Sequence, residues 1–149
     1  MPPLFFLWLF SIAGLAASAP PRGRPVDFSM VVAGCFRGDT VTVAVNGQDL
    51  LRQVVATSDF STGVTDIGVY QDAHGLWVRE LGRTTKYQRL NLRQGLRVRF
   101  VLNGQASNLV VDLDRGWVVF FNACYQVAGT GAPTRRLTVQ QYKKSVALE

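Results

Sequence analysis

The sequence predicts an all-β chain folded as an antiparallel two-sheet β-sandwich, immunoglobulin-like or similar. Three features predict it. Short apolar stretches recur with a period near two, Asn-Gly pairs stand between two sets of them, and no helical stripe with caps occurs along the chain. With 149 residues, one domain with an adequate apolar core is the natural reading.

The chain opens on an uncharged apolar run from Leu4 to Ala17. That is the length of a secretory leader, shorter than the roughly 20 residues of a membrane span. Residues 1–19 are therefore expected to be a signal peptide, cut after Ser18 or Ala19. Because Met1-Pro2-Pro3 carries no Lys or Arg, an uncleaved membrane anchor is the lesser alternative. Pro20-Pro21-Arg22-Gly23-Arg24-Pro25 cannot form regular structure, since its prolines lack amide donors, and reads as an arm over 20–25. Residues 26–149 then form the sandwich, in a protein that is secreted, periplasmic or at the cell surface.

Strands are expected at Val26–Val32, then at Val41, Val43 and Val45, which alternate with Thr40, Thr42 and Ala44. Leu50–Ala56, Ile67–Tyr70, Leu76–Leu81 and Thr85–Leu90 follow. Val98, Phe100 and Leu102 alternate with Arg97, Arg99 and Val101, and Leu109–Leu113 and Leu137–Tyr142 complete the set. Trp117–Phe121 is continuously apolar and predicts a central strand covered on both faces.

Asn46-Gly47 and Asn103-Gly104 supply the positive φ angles of a type I′ hairpin turn. The two hairpins resemble each other: Gly38, Val41, Val43, Val45, Asn46, Gly47 and Gln48 align without gaps on Gly95, Val98, Phe100, Leu102, Asn103, Gly104 and Gln105. One such unit cannot cover its own apolar face, so the two are expected to face each other across the core. Cys35 and Cys124 are the only cysteines, and an even count in an exported chain points to one disulfide, with two buried thiols as the alternative.

Catalytic raw material is thin. His74 is the only histidine and falls in a turn-like segment, and neither Ser58 nor Ser61, with Asp66 or Asp72, sits in a nucleophile-elbow motif. Asp112 and Asp114 have a spacing that could suit a calcium ion, but an exposed edge and a turn before Gly116 is the more ordinary reading. No phosphate loop, dinucleotide fingerprint or Cys-x-x-Cys occurs, so no cofactor, metal or enzymatic activity is expected.

What remains is charge. Sixteen Lys and Arg oppose ten Asp and Glu, and between Arg79 and Arg99 the chain holds Arg79, Arg83, Lys86, Arg89, Arg93, Arg97 and Arg99 against Glu80 alone, with Trp77 and Tyr87 among them. If these gather on one wet sheet face, their guanidinium groups can grip sulfate, phosphate or carboxylate bidentately. The expected ligand-binding set is Arg79, Arg83, Lys86, Arg89, Arg97, Arg99, Trp77 and Tyr87. The sequence thus points to an exported non-enzymatic binding module for an acidic glycan, a lipid headgroup or a partner protein, with nucleic acid disfavoured. The alternative is a structural subunit of an envelope or surface assembly, using an edge strand, the arm, or Val118 and Phe120 against a partner, with a hydrolase behind both.

Overall fold

The structure is a computed structural model that describes residues 27–126, 129, 131 and 134–143. The expected signal peptide and proline-rich arm lie outside the described residues. Among the described residues twelve strands follow one another: β1 (Phe28–Val32), β2 (Arg37–Val45), β3 (Gln48–Thr57), β4 (Ile67–Asp72), β5 (Gly75–Glu80), β6 (Arg83–Tyr87), β7 (Leu96–Leu102), β8 (Gln105–Val111), β9 (Val118–Asn122), β10 (Tyr125–Gln126), β11 (Thr134–Arg135) and β12 (Thr138–Tyr142). They form a six-stranded sheet in the order β12-β9-β1-β4-β5-β6, a four-stranded sheet β3-β2-β7-β8, and a two-stranded ribbon β10-β11. The fold is all-β, and each stretch read from its apolar pattern contains a strand.

The two large sheets pack face to face. Alternation puts Met30, Val32, Ile67, Val69, Leu76 and Val78 of the larger sheet opposite Val41, Val43, Leu51, Val98 and Phe100 of the smaller, all buried in one cluster. Phe100 stacks on Phe121 across the gap at 4.9 Å between ring centroids, and Phe36 closes one side of Phe100 at 6.4 Å. At about 25 cal/mol for each Å² of apolar surface removed from water, this shared core supplies the main drive to fold.

One pairing departs from the antiparallel expectation: β1 runs parallel to β9, with Met30 opposite Val119 and Val32 opposite Phe121. The chain reaches β9 only after leaving the smaller sheet, so no hairpin constrains its direction. The continuous apolar run is explained, since Val118, Val119 and Phe121 are buried and Phe120 is half-buried beside Tyr142, 5.5 Å away. This strand is penultimate in its sheet rather than central.

The two Asn-Gly hairpins do not face each other across the core. They lie side by side in the smaller sheet, with β2 paired to β7. Val43 stands opposite Phe100, Val41 opposite Leu102 and Val45 opposite Val98, so aligned positions are exchanged by a local two-fold axis through the Val43–Phe100 pair. The larger sheet, built from unrelated sequence, covers the apolar face that one unit was expected to cover for the other. The Asn side chains cause this arrangement. Asn46 Oδ1 accepts from the Arg97 amide at 2.8 Å and Asn103 Oδ1 from the Thr40 amide at 2.9 Å, so each turn residue holds the neighbouring unit's strand. Both turns have the expected geometry, with φ of 49° at Asn46 and Asn103, and 83° and 84° at the glycines. A third turn of this kind, Leu81-Gly82, joins β5 to β6 with φ of 46° and 82°.

Cys35 and Cys124 form a disulfide. It joins the β1–β2 connection to the segment just after β9.

Candidate functional site

The basic tract does not form one face. Trp77, Arg79 and Lys86 project from the outer face of the six-stranded sheet, Lys86 opposite Trp77 in register with its Nζ 5.0 Å from the ring centroid. Trp77 is also stacked on Tyr70 at 6.2 Å, and its indole N–H donates to Asp72. Arg83 and Tyr87 lie on the opposite side of β6, Arg83 opposite Glu80 and Tyr87 packed against the core. Arg89 is in the loop after β6, and Arg97 and Arg99 point outward from the smaller sheet. Two causes scatter the tract: the period of two sends alternate residues of a strand to opposite faces, and the chain between β6 and β7 crosses from one sheet to the other.

Carboxylates claim part of the charge as well. Arg79 is ion-paired with Asp66, whose other oxygen accepts from the Gly82 amide at 2.6 Å. Arg89 pairs with Asp27 at 2.5 Å. Among the described residues neither Arg97 nor Arg99 makes an ion pair.

Those two arginines share a surface. Arg97 and Arg99, with Ala44, Gly47, Asp49, Asn108 and Val110, line a depression of about 370 Å³ on the smaller sheet. Arg97 also borders a second depression of about 470 Å³ at the end of the sandwich, with Asn46, Arg89, Asn91 and Gln94. The small Ala44 next to Arg99 in register leaves its guanidinium room, while Asp49 is held by Arg52 at 3.3 Å. The floor there is backbone and methyl groups, and the rim is guanidinium, carboxamide and the Arg52-paired carboxylate of Asp49. Such a rim can take a planar or tetrahedral oxyanion through paired N–H donors.

Other candidate groups have local duties. Asp72 caps the turn carrying His74, accepting from the His74 and Gly75 amides at 2.8 and 3.0 Å. Burial works against the charge on Asp72, but these donors and the Trp77 indole outweigh it and hold the carboxyl below its ordinary range. The Ser58 hydroxyl donates to the Ala33 carbonyl at 2.8 Å and accepts from the Phe36 amide at 3.0 Å, and Ser61 donates to Asp59 at 2.5 Å. Asp112 accepts from the Asp114 amide at 3.0 Å, forming the turn before Gly116.

Arg135, outside the binding set expected from the sequence, is the most fully engaged arginine among the described residues. Its guanidinium grips both oxygens of Asp39, donates to the Cys35 carbonyl at 2.6 Å and, through Nε, to the Ala123 carbonyl at 3.0 Å. Asp39 is 4% exposed and also accepts from Asn103 Nδ2 at 2.8 Å and the Arg37 amide at 2.7 Å. This cluster locks the β10–β11 ribbon, the disulfide and one Asn-Gly turn together. Every oxygen lone pair that matters is met, which marks the pair as structural rather than ligand-seeking.

The Arg135 hydrogen bonds hold the Asp39 carboxyl at about 2, against the opposing effect of burial, with the Arg37 amide and Asn103 adding to the depression. A carboxyl depressed on folding stabilises above its unfolded value of 3.8 and loses that contribution as pH falls towards 2. Stability should drop by about 2 kcal/mol between pH 5 and pH 2 from this group. Denaturant melts of the protein and of Asp39→Asn across that range check it: the variant should lose this part of the slope. Asp59, held at about 2 mainly by the Ser61 hydroxyl, titrates in both proteins and cancels.

No protein-family model, curated protein or solved structure matches the chain. The disulfide is compatible with an extracellular location. No helix among the described residues is long and apolar enough to cross a membrane.

Proposed function

We propose that the protein is an exported, non-enzymatic binding module that takes an anionic group, carboxylate, sulfate or phosphate, on the outer face of its smaller sheet. The immunoglobulin-like or similar sandwich is its scaffold, and an acidic glycan, a lipid headgroup or an acidic protein surface is its partner. The observation that carries this reading is the pair Arg97 and Arg99, two positions apart on one face, with no carboxylate partner among the described residues. Asn108 and Gln94 border the two depressions that Arg97 shares and carry carboxamide donors, whereas Asn46 spends its own on the Asn91 and Gly95 carbonyls. Arg79 and Arg89 are outside the proposed site because Asp66 and Asp27 neutralise them.

The test is retention on a sulfated-dextran matrix over a salt gradient. Arg97→Gln and Arg99→Gln should each weaken binding about tenfold at low salt, a charge-assisted hydrogen bond being worth roughly that much. Arg79→Gln should leave retention within twofold. Equal losses in all three variants would reduce the effect to net charge and remove the site.

A further inference from the structure

We propose that the open edge of β8 pairs, antiparallel and about a two-fold axis, with β8 of a second copy of this chain. All seven residues of β8 are in register with β7, from Gln105 opposite Leu102 to Val111 opposite Leu96, without a bulge. The two-residue turn makes Leu102 and Gln105 a hydrogen-bonded pair. Alternation from there puts Ala106, Asn108 and Val110 in the other class, with their N–H and C=O groups directed away from β7. None of those groups meets a backbone partner among the described residues. Val110 is 79% exposed on the same strand.

Unprotected strand edges are rare because they template pairing, and two of the other edges here are guarded. β3, the far edge of the same sheet, is bulged at Gln53, where φ is 51°, and carries Asp49 and Arg52. β6 carries Arg83 and Lys86. β12 has five residues against the seven of β8. β8 is the longer of the two edges free of charge and proline, and it runs from Gln105 to Val111 without a bulge.

Those properties favour a second copy over an unrelated strand. A two-fold pairing centred on Asn108 sets that residue against its own copy, where a charge would meet its like, and sets the flanking positions against one another; β8 has no charge at any of them. Centred on Asn108, the pairing sets Ala106 against Val110 twice and matches the outward donors of each copy to the outward acceptors of the other. The exposed Val110 gains an apolar neighbour. The smaller sheets become one continuous sheet with Arg97 and Arg99 of both copies on a single face, where a long polyanion would meet four guanidinium groups. The pairing itself does not depend on anion binding.

Sedimentation velocity from about 10 µM to 1 mM, the range in which a small edge interface dimerises, reads this directly. Dimer should grow with concentration. Asn108→Pro removes only an outward-facing N–H, Val110→Lys puts a charge on the edge, and each should raise the dimer Kd at least tenfold. Hydrogen-bonded partners stand about 5.5 Å apart at Cα, within disulfide reach, so Asn108→Cys should cross-link two copies under mild oxidation while Val55→Cys on β3 does not. Sedimentation as monomer throughout, undiminished dimer in both edge variants, or equal cross-linking at positions 55 and 108 would overturn the proposal.

Discussion

Replacing Cys35 and Cys124 together by alanine should lower the unfolding free energy by about 4 to 5 kcal/mol, most of the stability of an ordinary small domain. The bridge closes a separation of 89 residues, so its loss frees a long loop in the unfolded chain. It also frees the native joint, because the Cys35 carbonyl is an acceptor for Arg135 and the Ala123 amide bonds the Gly34 carbonyl at 3.0 Å. Guanidinium melts of the oxidised, reduced and doubly substituted proteins measure this. The reduced and substituted forms should agree, and a loss below 1 kcal/mol would mean that the unfolded chain gains no freedom from the cut.

Arg135→Ala should cost about 3 to 5 kcal/mol, because it leaves the Asp39 carboxylate buried with only Asn103 and one amide. The Arg135 side chain is 18% exposed and that of Asp39 5%, so water replaces the guanidinium poorly. Asp39→Leu combined with Arg135→Met should cost less than Arg135→Ala alone, since removing both charges strands neither. Thermal melts at neutral pH separate these outcomes. If Arg135→Ala melts like the parent, the ion pair is only an exposed contact worth a fraction of a kcal/mol.

These two changes act at one joint, and they show what sequence reading reached and what it missed. The cysteine pair was legible because only two cysteines exist. The strands were legible because half-buried antiparallel strands write their burial into a period of two, as in Val41-Thr42-Val43-Ala44-Val45. Arg135 was illegible. Nothing local distinguishes it from Arg136, and its partner Asp39 lies far away in the chain, brought close only by the sheets and the disulfide. The Leu81-Gly82 turn was missed because leucine rarely adopts positive φ; Gly82, with Asp66 capping its amide, was the available signal.

The binding set fared according to the same physics. Arg97 and Arg99 share a face because they sit two apart on one strand, which sequence states outright. Whether Trp77, Arg79 and Lys86 join them depends on which sheet each strand enters, a matter of topology that periodicity does not encode. The hairpin units likewise revealed their turns but not their placement, which rests on Asn46 and Asn103 each reaching the strand of the other unit.

Where on the molecule an anion binds can be read from the arginine side-chain Nε–H resonances of isotope-labelled protein, titrated with a short sulfated oligosaccharide at low salt. The Arg97 and Arg99 signals should shift together and saturate, with Arg79, Arg89 and Arg135 still. Shifts centred on Arg79 and the neighbouring Trp77 indole, or none above the drift of a neutral sugar, would contradict a site on the smaller sheet.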